Sequence, residues 1–136
     1  MKYYEFKEKQ ANEIDEFPMH FAFSGKQYSE VLDRLGVKEN EAKDKLLSVP
    51  CGGFIRKSDS KNYSDMFARQ HTELKEALKD DTFLINAIEH ELSNHEFCIT
   101  YDPSDTINAL ALDMENERTK KCFVIAKANY MENVEY

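Results

Sequence analysis

The side chains able to do chemistry concentrate between Glu89 and Asp105, in EHELSNHEFCITYDPSD, which holds two of the chain's four histidines and one of its three cysteines. Two chemistries suit such a stretch: a metal site built on imidazoles, and a carboxylate acid/base pair. Spacing removes the first. A zincin helix carries H-E-x-x-H, with two imidazoles one turn apart. His90 and His95 are five residues apart, which is about 500° around a helix and so roughly 140° off one face. His95 at a helix end suits a capping role, where its cation meets the negative end of the dipole. Asp102 and Asp105 flank a helix start and could hold Mg²⁺ or exchange protons, but a turn and cap need the same residues. No metal site, catalytic residue or cofactor is expected from these residues.

A second constellation is Cys51, Gly52 and Gly53 with Arg56 and Lys57 close behind. As a nucleophile, the Cys51 thiol would sit on a turn whose N–H groups can stabilise an oxyanion, with its base drawn from His20, His71, His90 or His95 in three dimensions. As a ligand site, the same five residues could surround the phosphate of a nucleotide signal. A phosphate loop needs a GxxxxGK[ST] or GxGxxG frame opening directly into a helix. Here Phe54-Ile55-Arg56-Lys57 follows instead, so a hairpin or bulge is the preferred reading. Neither arrangement specifies an enzyme, and none is expected.

The charge balance is more selective. Eighteen basic and 26 acidic residues give a net charge of −8 over 136 residues. Phosphate backbones are bound by Lys/Arg clusters, and the densest runs here are only Arg56-Lys57 and Lys120-Lys121. Direct binding to nucleic acid is therefore not expected. An acidic surface suits a basic groove on another protein, although solubility alone also accounts for it. Seven tyrosines add amphipathic contact area of the kind interfaces favour. The candidate interaction surface is Tyr3, Tyr4 and Tyr63 with Glu89, Glu91, Glu96, Asp113, Glu115 and Glu117; Tyr136 belongs to the same tyrosine set. Self-association through such a surface is compatible with the sequence. The three cysteines show no CxxC, which fits reduced thiols. With no apolar run of membrane length and a charged N-terminus, a soluble intracellular protein is expected.

These residues must be positioned by helices and a few strands. Tyr3, Phe6 and Ile14 recur near helical spacing over Lys2 to Glu16, and Phe17-Pro18 ends that helix. PMHFAFS alternates as a half-buried strand with Met19, Phe21 and Phe23 on one face. Ser24 with Gln27 forms a capping box for a helix to Arg34 or Leu35, which buries Tyr28, Val31, Leu32 and Leu35 and stops at Gly36. Residues 46–57 read as two short strands around the Gly-Gly turn. A long helical tract follows, capped by Ser58 or Ser60, broken at Asp80-Asp81 and resumed from Thr82 to Asn94. Phe97 to Tyr101 alternates as a strand, and Asp102 or Ser104 caps a helix through Ile107, Leu110 and Ala111. Asp113 or Asn116 starts a last helix with Cys122, Val124, Ile125, Ala128 and Tyr130 on its apolar face. The fold class expected is α+β, amphipathic helices on a small antiparallel sheet, in one globular domain over residues 1–136.

Three blocks, FPMHFAFSGKQYSEVLDRLGV, GGFIRKSDS and ELSNHEFCITYDPSDTINALAL, resemble a group of small proteins of no assigned activity encoded by phages and prophages of intestinal bacteria. The resemblance implies a mobile-element origin and a bacterial cytoplasm, and assigns no functional residue. By analogy with other small acidic phage proteins, it suggests a non-enzymatic anti-defence role. The partner would be a host defence protein such as a CRISPR nuclease, blocked through the acidic, tyrosine-bearing surface.

Overall fold

The computed structural model describes residues 1–134; Tyr136 lies outside them. In chain order the elements are α1 (Tyr3–Glu16), β1 (His20–Phe21), α2 (Gly25–Leu35), α3 (Ala42–Lys45), β2 (Leu46–Val49), β3 (Gly53–Arg56), α4 (Ser60–Ala77), α5 (Asp81–Asn94), α6 (Phe97–Thr100), α7 (Ser104–Ala109) and α8 (Glu117–Glu132). The fold is α+β. Its antiparallel sheet has the order β1-β3-β2, with Leu47 opposite Ile55 and His20 opposite Phe54.

Two compact units divide the chain, one formed by Met1–Lys9 with Thr72 onward and the other by Gln10–His71. The first is all helical. Its core gathers Tyr3, Leu84, Ala87, Ile88, Leu92, Phe97, Leu110, Cys122, Phe123 and Ala126. Asp80 caps α5 by accepting the Phe83 N–H at 2.9 Å, and Asn116 caps α8 by accepting the Thr119 N–H at 3.0 Å. Asp80 thereby breaks the long helical tract, as its preference for a cap over a helix interior requires.

The second, mixed unit holds the sheet and α2, with Val31, Leu32, Leu35 and Val37 buried and Tyr28 and Phe54 against them. Ser24 Oγ accepts the Gln27 N–H, while Gln27 Oε1 reaches past the cap residue to the Phe23 N–H at 2.7 Å. Gly36, at φ +67°, ends α2 in the left-handed region that a side chain would resist.

Three expectations are corrected. The PMHFAFS strand shrinks to two residues, and Phe21 and Phe23 point outward, 49% and 78% exposed. The backbone of Ala22 explains this, since its N–H bonds Gly52 O and its methyl is the side chain that packs against the α2 core. Phe97 to Tyr101 is not a strand but the four-residue helix α6, bracketed by left-handed Glu96 (φ 52°) and Tyr101 (φ 55°). Phe97 is buried, whereas Ile99 and Tyr101 are exposed. On α8 the buried face is Thr119, Cys122, Phe123 and Ala126, and Val124 and Ile125 face solvent.

Candidate functional site

Within the helical unit, α5 carries a buried carboxylate. Glu91 is 6% exposed, and each of its two oxygens has a partner: Tyr3 Oη donates to Oε1 at 2.6 Å, and His95 Nε2 lies 3.1 Å from Oε2. Asn94 Nδ2 adds a long contact of 3.5 Å to Oε2. A carboxylate removed from water needs such donors, because an unpaired buried charge is strongly unfavourable. Tyr3 is anchored in turn by its own N–H on Asn86 Oδ1 at 2.8 Å and by edge contacts to the Phe83 and His90 rings. Burial, then the bond to Glu91 and its charge, push the Tyr3 phenol far above its ordinary range, so it stays a donor. This cluster ties the N-terminal turn to α5 inside the unit.

Tyr3 and Glu91 are therefore removed from the expected interaction surface, and Glu91 is not solvated. His95 does end α5, its N–H bonding Glu91 O, and its ring serves the buried carboxylate. Of the other expected surface residues, Tyr4, Glu96, Asp113, Glu115 and Glu117 are exposed, while Glu89 and Tyr63 are half-buried. Tyr63 stacks edgewise on Phe17 and Phe67.

In the mixed unit the Gly-Gly turn is a hairpin end with exposed aromatic rings lying close against it. A Cβ on Gly52 would stand 2.7 Å from the Phe23 ring, and one on Gly53 2.7 Å from Val49 Cγ2 and 3.2 Å from Phe21. Close approach of these side chains accounts for both glycines. The two cations turn elsewhere: Arg56 Nε donates to Leu35 O at 2.8 Å, satisfying the end of α2, and Lys57 Nζ to Lys43 O at 3.0 Å. Cys51 is exposed at φ 65°, and no imidazole among the described residues hydrogen-bonds it. The five residues of the ligand reading are thus neighbours in sequence whose polar groups do not converge on one space.

Asp102 forms a turn. Its Oδ1 accepts from Ser104 Oγ at 2.6 Å and from the Ser104 N–H at 3.0 Å, and these bonds hold its carboxyl below the usual range. Among the described residues no group of three or more His, Cys, Asp and Glu is arranged to hold a metal ion. No helix of the described residues is long and apolar enough to cross a membrane.

What the structure adds is where the charge lies. The helical unit carries 16 acidic against nine basic residues, a net of −7, and the mixed unit ten against nine, a net of −1. Between Lys79 and Arg118 the sequence has ten acidic residues and no Lys or Arg. That run covers α5, α6 and α7. Sequence patterning alone could have found it; Tyr3 against Glu91, 88 residues apart, has no local signal.

Fold and charge together define an α+β protein with a strongly acidic helical unit and a nearly neutral mixed one. The chain belongs to a family of unknown function, DUF7659, whose model matches residues 2–130. No curated protein and no solved structure matches it.

Proposed function

We propose that the chain is a phage-encoded, non-enzymatic anti-defence protein of the bacterial cytoplasm. In this reading its helical unit occupies the basic, nucleic-acid-handling surface of a host nuclease, of which a CRISPR nuclease is the leading instance. The observation that carries the reading is the concentration of charge: the helical unit holds −7 of the net −8, and residues 80–117 hold no compensating cation. Such a field steers a basic partner and competes with the phosphates that partner normally binds. Exposed Tyr4, Ile99 and Tyr101 in the same unit supply apolar contact area that charge alone lacks.

The test uses a purified host nuclease bound to fluorescent DNA. Adding the chain should release the DNA, with a complex of chain and nuclease on size exclusion, and added salt should weaken the release because exposed charges are screened. DNA that stays bound at a saturating excess of the chain, across the defence nucleases of the host, would overturn the reading.

A further inference from the structure

Beside the C-terminal ends of α5 and α8 lies a groove of about 530 Å³, lined among others by Glu89, Glu96, Ile99, Asn129, Tyr130 and Asn133. Its charged side chains, Glu89 and Glu96, are of one sign. Asn129 Nδ2 donates to Glu89 Oε1 at 2.8 Å, and Asn133 Nδ2 to the Asn129 carbonyl at 2.9 Å. No donor among the described residues reaches the Oδ1 of either amide. The Tyr130 hydroxyl accepts the Cys98 N–H at 3.1 Å.

Neither carboxylate has a cation among the described residues. Elsewhere in this unit Glu76 pairs with Lys79, Asp81 with Arg118 and Glu117 with Lys120. Among the described residues Glu89 accepts from Asn129, and neither Glu89 nor Glu96 has an ion pair. Lys127, on the same half of α8, sits over the Phe97 ring, 5.6 Å from its centroid. The lining thus offers two carboxylates and two amide oxygens, with Ile99 71% exposed at its side.

We infer that this groove receives an arginine-bearing segment of the partner protein. Five N–H donors in a planar fork match a set of acceptors better than the three of an ammonium, and the aliphatic stem can lie along Ile99. The volume is in the range of roughly 300–1,000 Å³ typical of ligand sites, room for a guanidinium with flanking backbone. The inference rests on the acidic-unit reading and names the contact that fixes register within it.

A short fluorescent peptide with two arginines in a Gly/Ser background, and its lysine counterpart, serve as probes in anisotropy titrations. The arginine peptide should bind more tightly than the lysine one. Glu89→Gln with Glu96→Gln should weaken it by about tenfold or more. Glu115→Gln with Glu117→Gln, acids of the same unit outside the groove, should change it by less than about threefold. Glu96→Gln alone, at an exposed side chain, gives the same direction without touching α5. Bound peptide should also slow alkylation of Cys98, which lines the groove, and leave exposed Cys51 unchanged.

Equal losses in the two double variants, equal affinity for the two peptides, or an unprotected Cys98 would each overturn the groove and leave diffuse attraction by the acidic unit standing. A peptide held as described by a chain that releases no nuclease from its DNA would overturn the functional reading and leave the groove.

Discussion

The helical and mixed units carry the same number of basic residues, nine each, yet 16 acidic residues fall in the first and ten in the second. Their difference in charge comes wholly from added carboxylates. The mixed unit pairs several of its acids locally, Glu41 with Lys45, Asp59 with Arg56, Asp65 with Lys61 and Glu13 with Arg69. In the helical unit α5, α6 and α7 contain no cation that could do so. Solubility would be served by carboxylates spread evenly over the surface; the proposed partner is what their excess in one unit would serve.

The interiors differ as well. The helical unit carries a polar cluster, Tyr3-Glu91-His95, at the edge of its apolar core, whereas the mixed unit has glycines that admit aromatic rings at a hairpin end. Each device can be broken separately. Leu92→Ala empties a fully buried site and should cost about 2–5 kcal/mol in urea unfolding. Leu32→Ala, in the smaller cluster, should cost less. An equal or larger loss at Leu32 would invert the contrast between the two cores.

Tyr3→Phe deprives the buried Glu91 of its closest donor and should cost about 1–3 kcal/mol. It also carries a pH signature. The Tyr3 phenol has a folded pKa raised above its unfolded value, so its contribution is intact below about pH 10 and is lost as pH rises through the raised value. Denaturation midpoints of the wild type should decline on that alkaline side, and Tyr3→Phe should flatten the decline. Gly52→Ala, at φ +78° and against Phe23, should cost about 1–2 kcal/mol from the backbone alone. Adding Phe23→Ala should recover only the steric remainder, and full recovery would show that the left-handed backbone matters little.

Much of this fold could be read from local chemistry. Ser24 with Gln27, Gly36, Asp80, Asn116 and the Gly-Gly hairpin are all signals carried by a few adjacent residues, and each stands where such a cap or turn should. Phe97-Cys98-Ile99-Thr100-Tyr101 misled because four or five residues are too few to separate a period of 2 from one of 3.6. Left-handed Glu96 and Tyr101 then isolate one helical turn there, which no residue type announces. On α8 a valine and an isoleucine mimicked a core stripe, while Thr119 and Phe123 make the real one.

The candidate site was half legible. His90 and His95 do fail to share a face, but Glu91 and His95, one turn apart, do share one, and that pair carries the interaction. Its third member, Tyr3, comes from the other end of the chain. The acidic stretch from Asp80 to Glu117 was open to reading throughout, since it is a matter of counting.

The central claim is that the helical unit's excess charge recognises a basic partner, and two charge-matched variants of the chain test it. One carries Asp105→Asn, Asp113→Asn, Glu115→Gln and Glu117→Gln in the helical unit; the other carries Asp15→Asn, Glu16→Gln, Glu30→Gln and Asp44→Asn in the mixed unit. All eight residues are exposed, so each substitution should shift stability by no more than about 0.5 kcal/mol. In DNA-displacement titrations against the nuclease, the helical-unit variant should lose about tenfold or more in potency and most of its salt dependence, while the mixed-unit variant stays near wild type. Equal losses in the two variants would contradict the account, reducing the charge to a general property of the chain.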